Sequence, residues 1–343
     1  MNILGVMSGT SLDGLDLALC QFNTTSNGIE FILLASETIN YQQVWKERLQ
    51  NAFSATAEQY FKLHSLYGEF IASEINIFLS KHQLQAHYIA SHGHTIFHRP
   101  QLGFTTQMGC GATIKAKTGI STICDFRTVD VAMGGQGAPL VPVGDRDLFS
   151  KYQSCLNIGG IANVSFTQNG LLKAFDVCYA NMILNDITQL INLSFDDKGQ
   201  LASKGNVNKA LLQQLLSIET QQQSLGRELY ENQFLPLLNA CVISIEDKLA
   251  TCVEYTAIKI SEILNQQHLQ SVLITGGGAY NHFLISRITC LYKGEIEIPN
   301  DEIIQFKEAI IFAYLGYLKL NNKPNALASV TGARNDSVGG CIY

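Results

Sequence analysis

The residues best suited to chemistry in this chain gather in glycine-bounded clusters. The run Met7-Ser8-Gly9-Thr10-Ser11-Leu12-Asp13-Gly14-Leu15-Asp16 puts hydroxyls, glycine amides and two carboxylates into one short turn. Successive backbone N–H groups in such a turn form a concave donor set that suits a phosphate. Asp13 and Asp16 stand where carboxylates hold the water shell of a metal carried by that phosphate. Mg2+ is therefore expected near Asp13, bound through the phosphate and not directly to a protein ligand. A solvated hairpin turn is the plainer reading of the same residues. Gly159-Gly160, with Asn163 just beyond, repeats the pattern, and Gly276-Gly277-Gly278 repeats it ahead of an apolar helical segment. Backbone without side chains permits close approach there, and a helix start offers unpaired N–H groups. The glycines at 276–278 lack G-x-G-x-x-G spacing, which disfavours a dinucleotide site and with it a nicotinamide-dependent oxidoreductase.

Ser91-His92-Gly93-His94-Thr95 and His98 bring three histidines within seven residues. Their spacing reads as a polar substrate loop at a strand end in preference to a metal site.

The elements that must position these clusters follow from periodicity. Residues 3–7, 15–22 and 29–40 read as a three-stranded meander, followed by a helix over 58–82. Short strands are expected at 88–90, 105–109 and 121–126, with a helix over 112–118. Met133-Gly134-Gly135-Gln136-Gly137-Ala138-Pro139 reads as the connection between two lobes. A second meander, 154–158, 161–166 and 171–175, repeats the layout of the first. Helices follow over 181–193, 206–216 and 240–267, then a strand at 271–275 and helices over 282–291 and 302–320. Residues 329–334 are polar and read as a tail on the surface. The expected fold is α/β, with an N-terminal lobe over 1–130 and a C-terminal lobe over 131–343 whose tail can pack back on the first. Each lobe has a mixed sheet flanked by helices.

The 343 residues suffice for one large or two medium domains, and 46% hydrophobic against 15% charged residues supplies a sizeable core. A net charge of −6 without a basic patch argues against nucleic acid as a partner. Apolar runs are strand-length, short of a membrane span. Met1-Asn2 lacks the basic start of a secretory signal. Nine scattered cysteines without a C-x-x-C fit a reducing cytoplasm and no metal cage.

Three glycine turns after three strands are explained together by one nucleotide held between two lobes. That is the logic of the actin-like ATPase, sugar kinase and Hsp70-like fold. The segment 7–16 resembles the signature of the anhydro-N-acetylmuramic acid kinases. The likeness continues through Ser91-His92-Gly93-His94-Thr95, where the family usually has Gln at His94, and His98-Arg99-Pro100. It extends through Asp125-Phe126-Arg127 with Asp130, 134–140, Leu156-Asn157-Ile158-Gly159-Gly160 with Asn163, 276–278 with Asn281, and Glu308-Ala309 with Phe312. The resemblance implies ATP and Mg2+ as cofactors and an amino sugar as substrate. It implies hydrolytic opening of 1,6-anhydro-N-acetylmuramic acid with phosphorylation to N-acetylmuramic acid 6-phosphate, in cytoplasmic peptidoglycan recycling, with a homodimer as a possible assembly. Gly9, Thr10, Ser11, Leu12, Asp13, Gly14, Leu15, Asp16, Gly159, Gly160, Asn163, Gly276, Gly277 and Gly278 become the ATP set. Thr95, Arg127, Asp130 and Glu308 become candidates for the sugar side, although an ordinary ion pair accounts for Asp130 and Glu308 as well.

One motif departs. Asp176-Val177-Cys178-Tyr179-Ala180-Asn181-Met182-Ile183-Leu184-Asn185-Asp186 puts Asn185 where the family has its general base. An amide does not take a proton from water at neutral pH. Asp186 is adjacent, but one residue turns a helix by about 100°. Cys178-Tyr179 also replaces Gly-Pro, which places a ring near the expected sugar site. Three readings stay open. Asp186, Asp176 or another acid serves and the family activity is kept; the acceptor is a different amino sugar; or the chain is a catalytically weak ATP-binding sensor or partner module.

Overall fold

The computed structural model describes all residues except Thr10, Ser11, Asn27 and 220–224. They form two units, Met1–Leu148 with Phe306–Tyr343, and Phe149–Gln305.

In the first unit, β1 (Asn2–Ser8), β2 (Gly14–Thr25) and β3 (Gly28–Asn40) form the expected antiparallel meander. β4 (Tyr88–Arg99) runs parallel to β1, β5 (Phe104–Met108) pairs antiparallel with the far half of β4, and β6 (Ser121–Cys124) lies parallel to β4. Leu4, Val6, Leu15, Leu17 and Leu19 bury one face of this sheet against Tyr67, Ile71, Ile75 and Phe78 of the helix Ala57–His82. Steps of four, four and three keep those four side chains on one helical face. Thr56 and Gln59 start the helix with a reciprocal capping box. The helix Asp301–Leu320 meets β1 backbone to backbone at Gly5, where a Cβ would stand 1.8 Å from the Ala309 carbonyl oxygen. Only glycine allows that approach, and it fixes Glu308 beside the strand that feeds the first turn.

In the second unit, β7 (Ser154–Ile158), β8 (Ile161–Gln168) and β9 (Leu171–Tyr179) form the second meander. β10 (Ser271–Thr275) lies parallel to β7, and β11 (Glu295–Glu297) parallel to β10. Leu156, Ile158, Val272 and Ile274 share a core with Leu249, Val253, Ile260 and Leu264 of the helix Ile245–Gln266. The fold is therefore α/β with two mixed sheets, each built on a meander and flanked by helices. Among the described residues no helix is long and apolar enough to cross a membrane.

Several expectations change. The first unit runs past residue 130 to Leu148 and regains the chain at Phe306, so the glycine-rich run 133–139 lies inside it and is not the connection between units. The histidine cluster is a bulged continuation of β4, not a loop, because β1 and β5 pair with it in turn. Asp176 does not end β9, which continues to Tyr179. The helix expected over 240–267 begins at Ile245, and Val242, 96% exposed, precedes it. The polar tail over 329–334 is a surface segment only in part: Ser329, Gly332 and Arg334 are exposed, while Thr331 and Ala333 are buried. Asn325 and Thr331 are each 1% exposed, and the Asn325 amide donates to the carbonyls of Leu315 and Gly339. Internal partners offset the burial of those polar groups. The chain ends in β12 (Cys341–Ile342), antiparallel to β6.

Candidate active site

In the first unit, β1 ends at Ser8, and the turn closes with the Leu12 N–H donating to the Gly9 carbonyl at 3.3 Å. Leu12 adopts a left-handed φ of 59°. Asp13 is exposed, Gly14 and Leu15 are buried and Asp16 is half-buried. The expected contacts of Thr10 and Ser11 lie outside the described residues. Asp16 accepts a 2.6 Å hydrogen bond from the Thr38 hydroxyl. Burial raises its carboxyl, Thr38 opposes that, and the charge of Asp13 adds to it.

The register of β1 against β4 shifts between Val6 and Ser8. That bulge gives His92 and His94 different partners. His94 Nδ1 lies 2.9 Å from Ser8 Oγ. Tyr41 donates to the same Ser8 oxygen at 2.7 Å, and its own oxygen is 2.5 Å from the Tyr67 hydroxyl. Because Ser8 accepts from Tyr41, its proton points to His94 Nδ1, and the neutral ring carries its hydrogen on Nε2. Burial lowers His94 to about 4.

His92 faces the other way. Its Nε2 accepts from Arg127 Nε at 3.0 Å, so its Nδ1 donates to the Gly93 carbonyl at 2.9 Å. Burial, then the neighbouring guanidinium, holds its ring well below the ordinary histidine range. Arg127 also donates through Nη1 to the Gly137 carbonyl at 2.6 Å. Burial lowers it to about 10, against the raising influence of Glu308 and Asp130. Glu308 keeps contact with solvent, yet the atoms packed around it desolvate the carboxyl and raise it. Lys307 and Arg127 oppose that shift, while Asp16 and Asp145 add to it. Lys307 itself is paired with Asp145 at 3.1 Å. A solvent-reached carboxylate with a raised pKa beside a fixed guanidinium is a proton-acceptor geometry.

Asp130 is wholly buried. One oxygen accepts from the Gly137 N–H and the other from the Thr331 hydroxyl, each at 2.7 Å. It ties the loop that holds Arg127 to the C-terminal segment. Thr95 is half-buried on β4 and accepts a long 3.4 Å contact from the Gln107 amide.

In the second unit the glycine turns converge. The Gly160 carbonyl accepts from the N–H groups of Ala180 and Met182, and the Gly159 carbonyl from that of Asn181. The first amides of the helix Asn181–Gln189 are thus engaged by the turn. The Asn181 side chain donates to the Ile158 carbonyl at 3.2 Å, and its nitrogen stands 3.5 Å from where a Gly277 Cβ would be. Gly276 has φ of 82°, and a Cβ there would meet Asn157 Oδ1 at 2.6 Å. Thr275, Asn157, Asn163 and Asp176 lie side by side across β10, β7, β8 and β9. This polar row sits at the turn end of the sheet, where α/β proteins bind ligands. Asp176 accepts from the Leu225 N–H at 2.8 Å, and burial raises its carboxyl.

Asn185 is half-buried on the helix Asn181–Gln189, and its carbonyl accepts from Thr188. Asp186 has the Tyr230 phenol as neighbour; burial, then Asp186, raises that phenol. Cys178 and Tyr179 are fully buried, and the Tyr179 ring packs 5.4 Å from Tyr230 and 4.9 Å from Phe234. Of the sequence candidates, the first unit brings together Asp13, Asp16, Arg127 and Glu308, and the second Gly159, Gly160, Asn163 and Gly276–Gly278. Asn157 and Asn181 were not among the expected site residues; Asn157 stands two residues before Gly159, and Asn181 opens the helix whose first amides the glycine turn engages. No cluster of His, Cys, Asp and Glu suited to a metal occurs among the described residues.

A glycine-lined cradle in one mixed sheet, and a guanidinium–carboxylate set beside a glycine turn in the other, mark an α/β phosphotransferase. The family model described as anhydro-N-acetylmuramic acid kinase matches residues 1–343. Proteins bearing that name include one from Haemophilus influenzae, 37% identical over 99% of this chain and 97% of its own length. Another, from Cyanothece, is 35% identical over 100% of this chain and 99% of its own. The chain belongs to the anhydro-N-acetylmuramic acid kinase family.

Proposed function

We propose that this chain spends ATP to open 1,6-anhydro-N-acetylmuramic acid and release N-acetylmuramic acid 6-phosphate, in cytoplasmic peptidoglycan recycling. The observation that carries the reading is Glu308 beside Arg127, on a chain matched by the family over its whole length. The glycine backbone at 276–278 and 159–160, with Asn163, fits the adenosine and phosphates of ATP: side-chain-free cradles admit close approach. Gly9, Thr10, Ser11, Leu12, Asp13, Gly14, Leu15 and Asp16 form the other phosphate contact. Asp13 would hold the water shell of a Mg2+ carried by the phosphates, and the ion would supply charge neutralisation of the transferring group.

Water adds its oxygen to the anomeric carbon and gives its proton to a carboxylate. The anhydro carbon–oxygen bond breaks, the freed bridge oxygen attacks the γ-phosphorus, and ADP leaves. Arg127 and Thr95 orient the sugar, and Asp130 holds the Arg127 loop. Glu308 takes the water proton in place of Asn185; burial raises its carboxyl, which makes it the stronger base.

The test is incubation with Mg·ATP and the anhydro sugar, with detection of the sugar phosphate and ADP. Turnover supports the reading. ATP binding without turnover of this sugar, but with turnover of another amino sugar, moves the acceptor; binding with no turnover of any leaves an ATP-binding module. The observation behind those two alternatives is Asn185, and Asn185→Asp raises turnover if the lost base is limiting. We also expect no requirement for nucleic acid, and a homodimer, which sedimentation checks.

A further inference from the structure

The nine cysteines are all free thiols, and two of them, Cys290 and Cys341, are exposed. Cys341 is on the last strand and is the direct register partner of Cys124 on β6. Two residues on, Thr122 and Tyr343 exchange both backbone hydrogen bonds, at 3.1 and 2.9 Å. The Cys124–Cys341 pair is therefore of the same hydrogen-bonded type, with Cα atoms about 5.5 Å apart, inside the range a disulfide spans, while its Cβ atoms stand about 1 Å beyond the usual bridged separation, so closing the bridge draws the two-residue terminal strand inward. Both thiols lie on the sheet face covered by the helix Gly111–Thr118. A Cβ on Gly111 would meet Cys124 Sγ at 2.6 Å and the Tyr343 ring at 2.9 Å. Cys110, Cys124 and Cys341 are close enough to interact electrostatically.

We propose that Cys124 and Cys341 are a redox-modified pair that forms a reversible disulfide clasp by exchange with a small disulfide such as oxidised glutathione. The exposed Cys341 thiolate attacks one sulfur of the small disulfide, forming a mixed disulfide and expelling one thiolate. The Cys124 thiolate then attacks Cys341 Sγ and expels the second. Two protein thiols lose two electrons and two protons, and one small disulfide becomes two thiols. Burial pushes Cys124 up to about 12, which makes the second step the slower one. The clasp pins the end of the segment that carries Thr331, and through Thr331 and Asp130 it bears on the loop holding Arg127.

The test exposes the full-length protein to a graded ratio of oxidised to reduced glutathione, with alkylation and peptide mapping. The expected result is a Cys124–Cys341 crosslink that forms in wild type and in Cys110→Ser, and that reducing agent reverses. Cys290, exposed on the other unit, instead accumulates a glutathione adduct. Cys124→Ser traps the adduct at Cys341, and unchanged Trp45 fluorescence shows that the variant is folded. A stable adduct at Cys341 in wild type, a crosslink through Cys110, or no reaction at Cys341 under conditions that modify Cys290 overturns the proposal.

Discussion

Replacing His94 by glutamine should flatten the acid sensitivity of the first unit. His94 is 5% exposed, and its Nδ1 accepts from Ser8. Burial lowers the ring to about 4 in the folded chain, against roughly 6.5 when unfolded. Between those values the unfolded chain binds a proton that the folded chain refuses. Stability is therefore full above the unfolded value, falls as pH drops below it, and levels off below the folded value. For a single site with those two pKa values, going from pH 7 to pH 5 removes about 2 kcal/mol. Glutamine retains an oxygen for the Ser8 hydroxyl and does not titrate. The chain has one tryptophan. Trp45 packs 5.4 Å from Tyr67 and 4.9 Å from Phe70, so its fluorescence reports on this unit. Guanidinium titrations at pH 7 and pH 5 should show wild type losing about 2 kcal/mol more than the variant. Equal losses in wild type and variant would refute the reasoning, since the burial penalty would then not reside at His94.

Other substitutions probe the remaining parts of the site. Thr331→Val removes the donor to one buried oxygen of Asp130 and should cost about 1–3 kcal/mol, measured by the same fluorescence titration. Gly276→Ala forces a side chain onto Asn157 at a left-handed φ; isothermal calorimetry should register weaker ATP binding while Trp45 unfolding is unchanged. Arg127→Lys loses the planar fork that spans His92 and Gly137, and kcat should fall at least tenfold with ATP affinity retained. Glu308→Gln should abolish turnover where Asp186→Asn leaves most of it; the reverse pattern would return the proton acceptor to the helix Asn181–Gln189.

The meanders were legible because strands of this kind alternate in short apolar runs broken by glycine, and both sheets contain them as read. The helix over 282–291 was legible from its period and has those bounds in the fold. What escaped was set by partners distant in sequence. Nothing local in Ser91–Thr95 announces that β1 and β5 will pair with it, or that a bulge will send His92 to Arg127 and His94 to Ser8. The tail looked too polar to bury because its partners, such as Asp130 for Thr331, lie about 200 residues away. The same blindness hid the unit boundary, since the first unit is completed by the last residues of the chain.

The same distinction sharpens the question at Asn185. From sequence, the nearest replacement for a lost carboxylate is the next residue, Asp186. In the fold, proximity along the chain is not equivalence. A helix turns about 100° per residue, and Asp186 neighbours the buried Tyr230 phenol. Asp176 is occupied by the Leu225 N–H. Glu308 differs from both. It retains solvent contact, its carboxyl is raised, and the adjacent lysine is taken up by Asp145. Its position depends on Gly5, where the helix backbone touches β1, and not on the helix that carries Asn185. On the proposal above, the proton acceptor is therefore Glu308 and not the chain neighbour of Asn185. If Glu308→Gln and Asp186→Asn each leave turnover intact, the proton acceptor must be sought outside both.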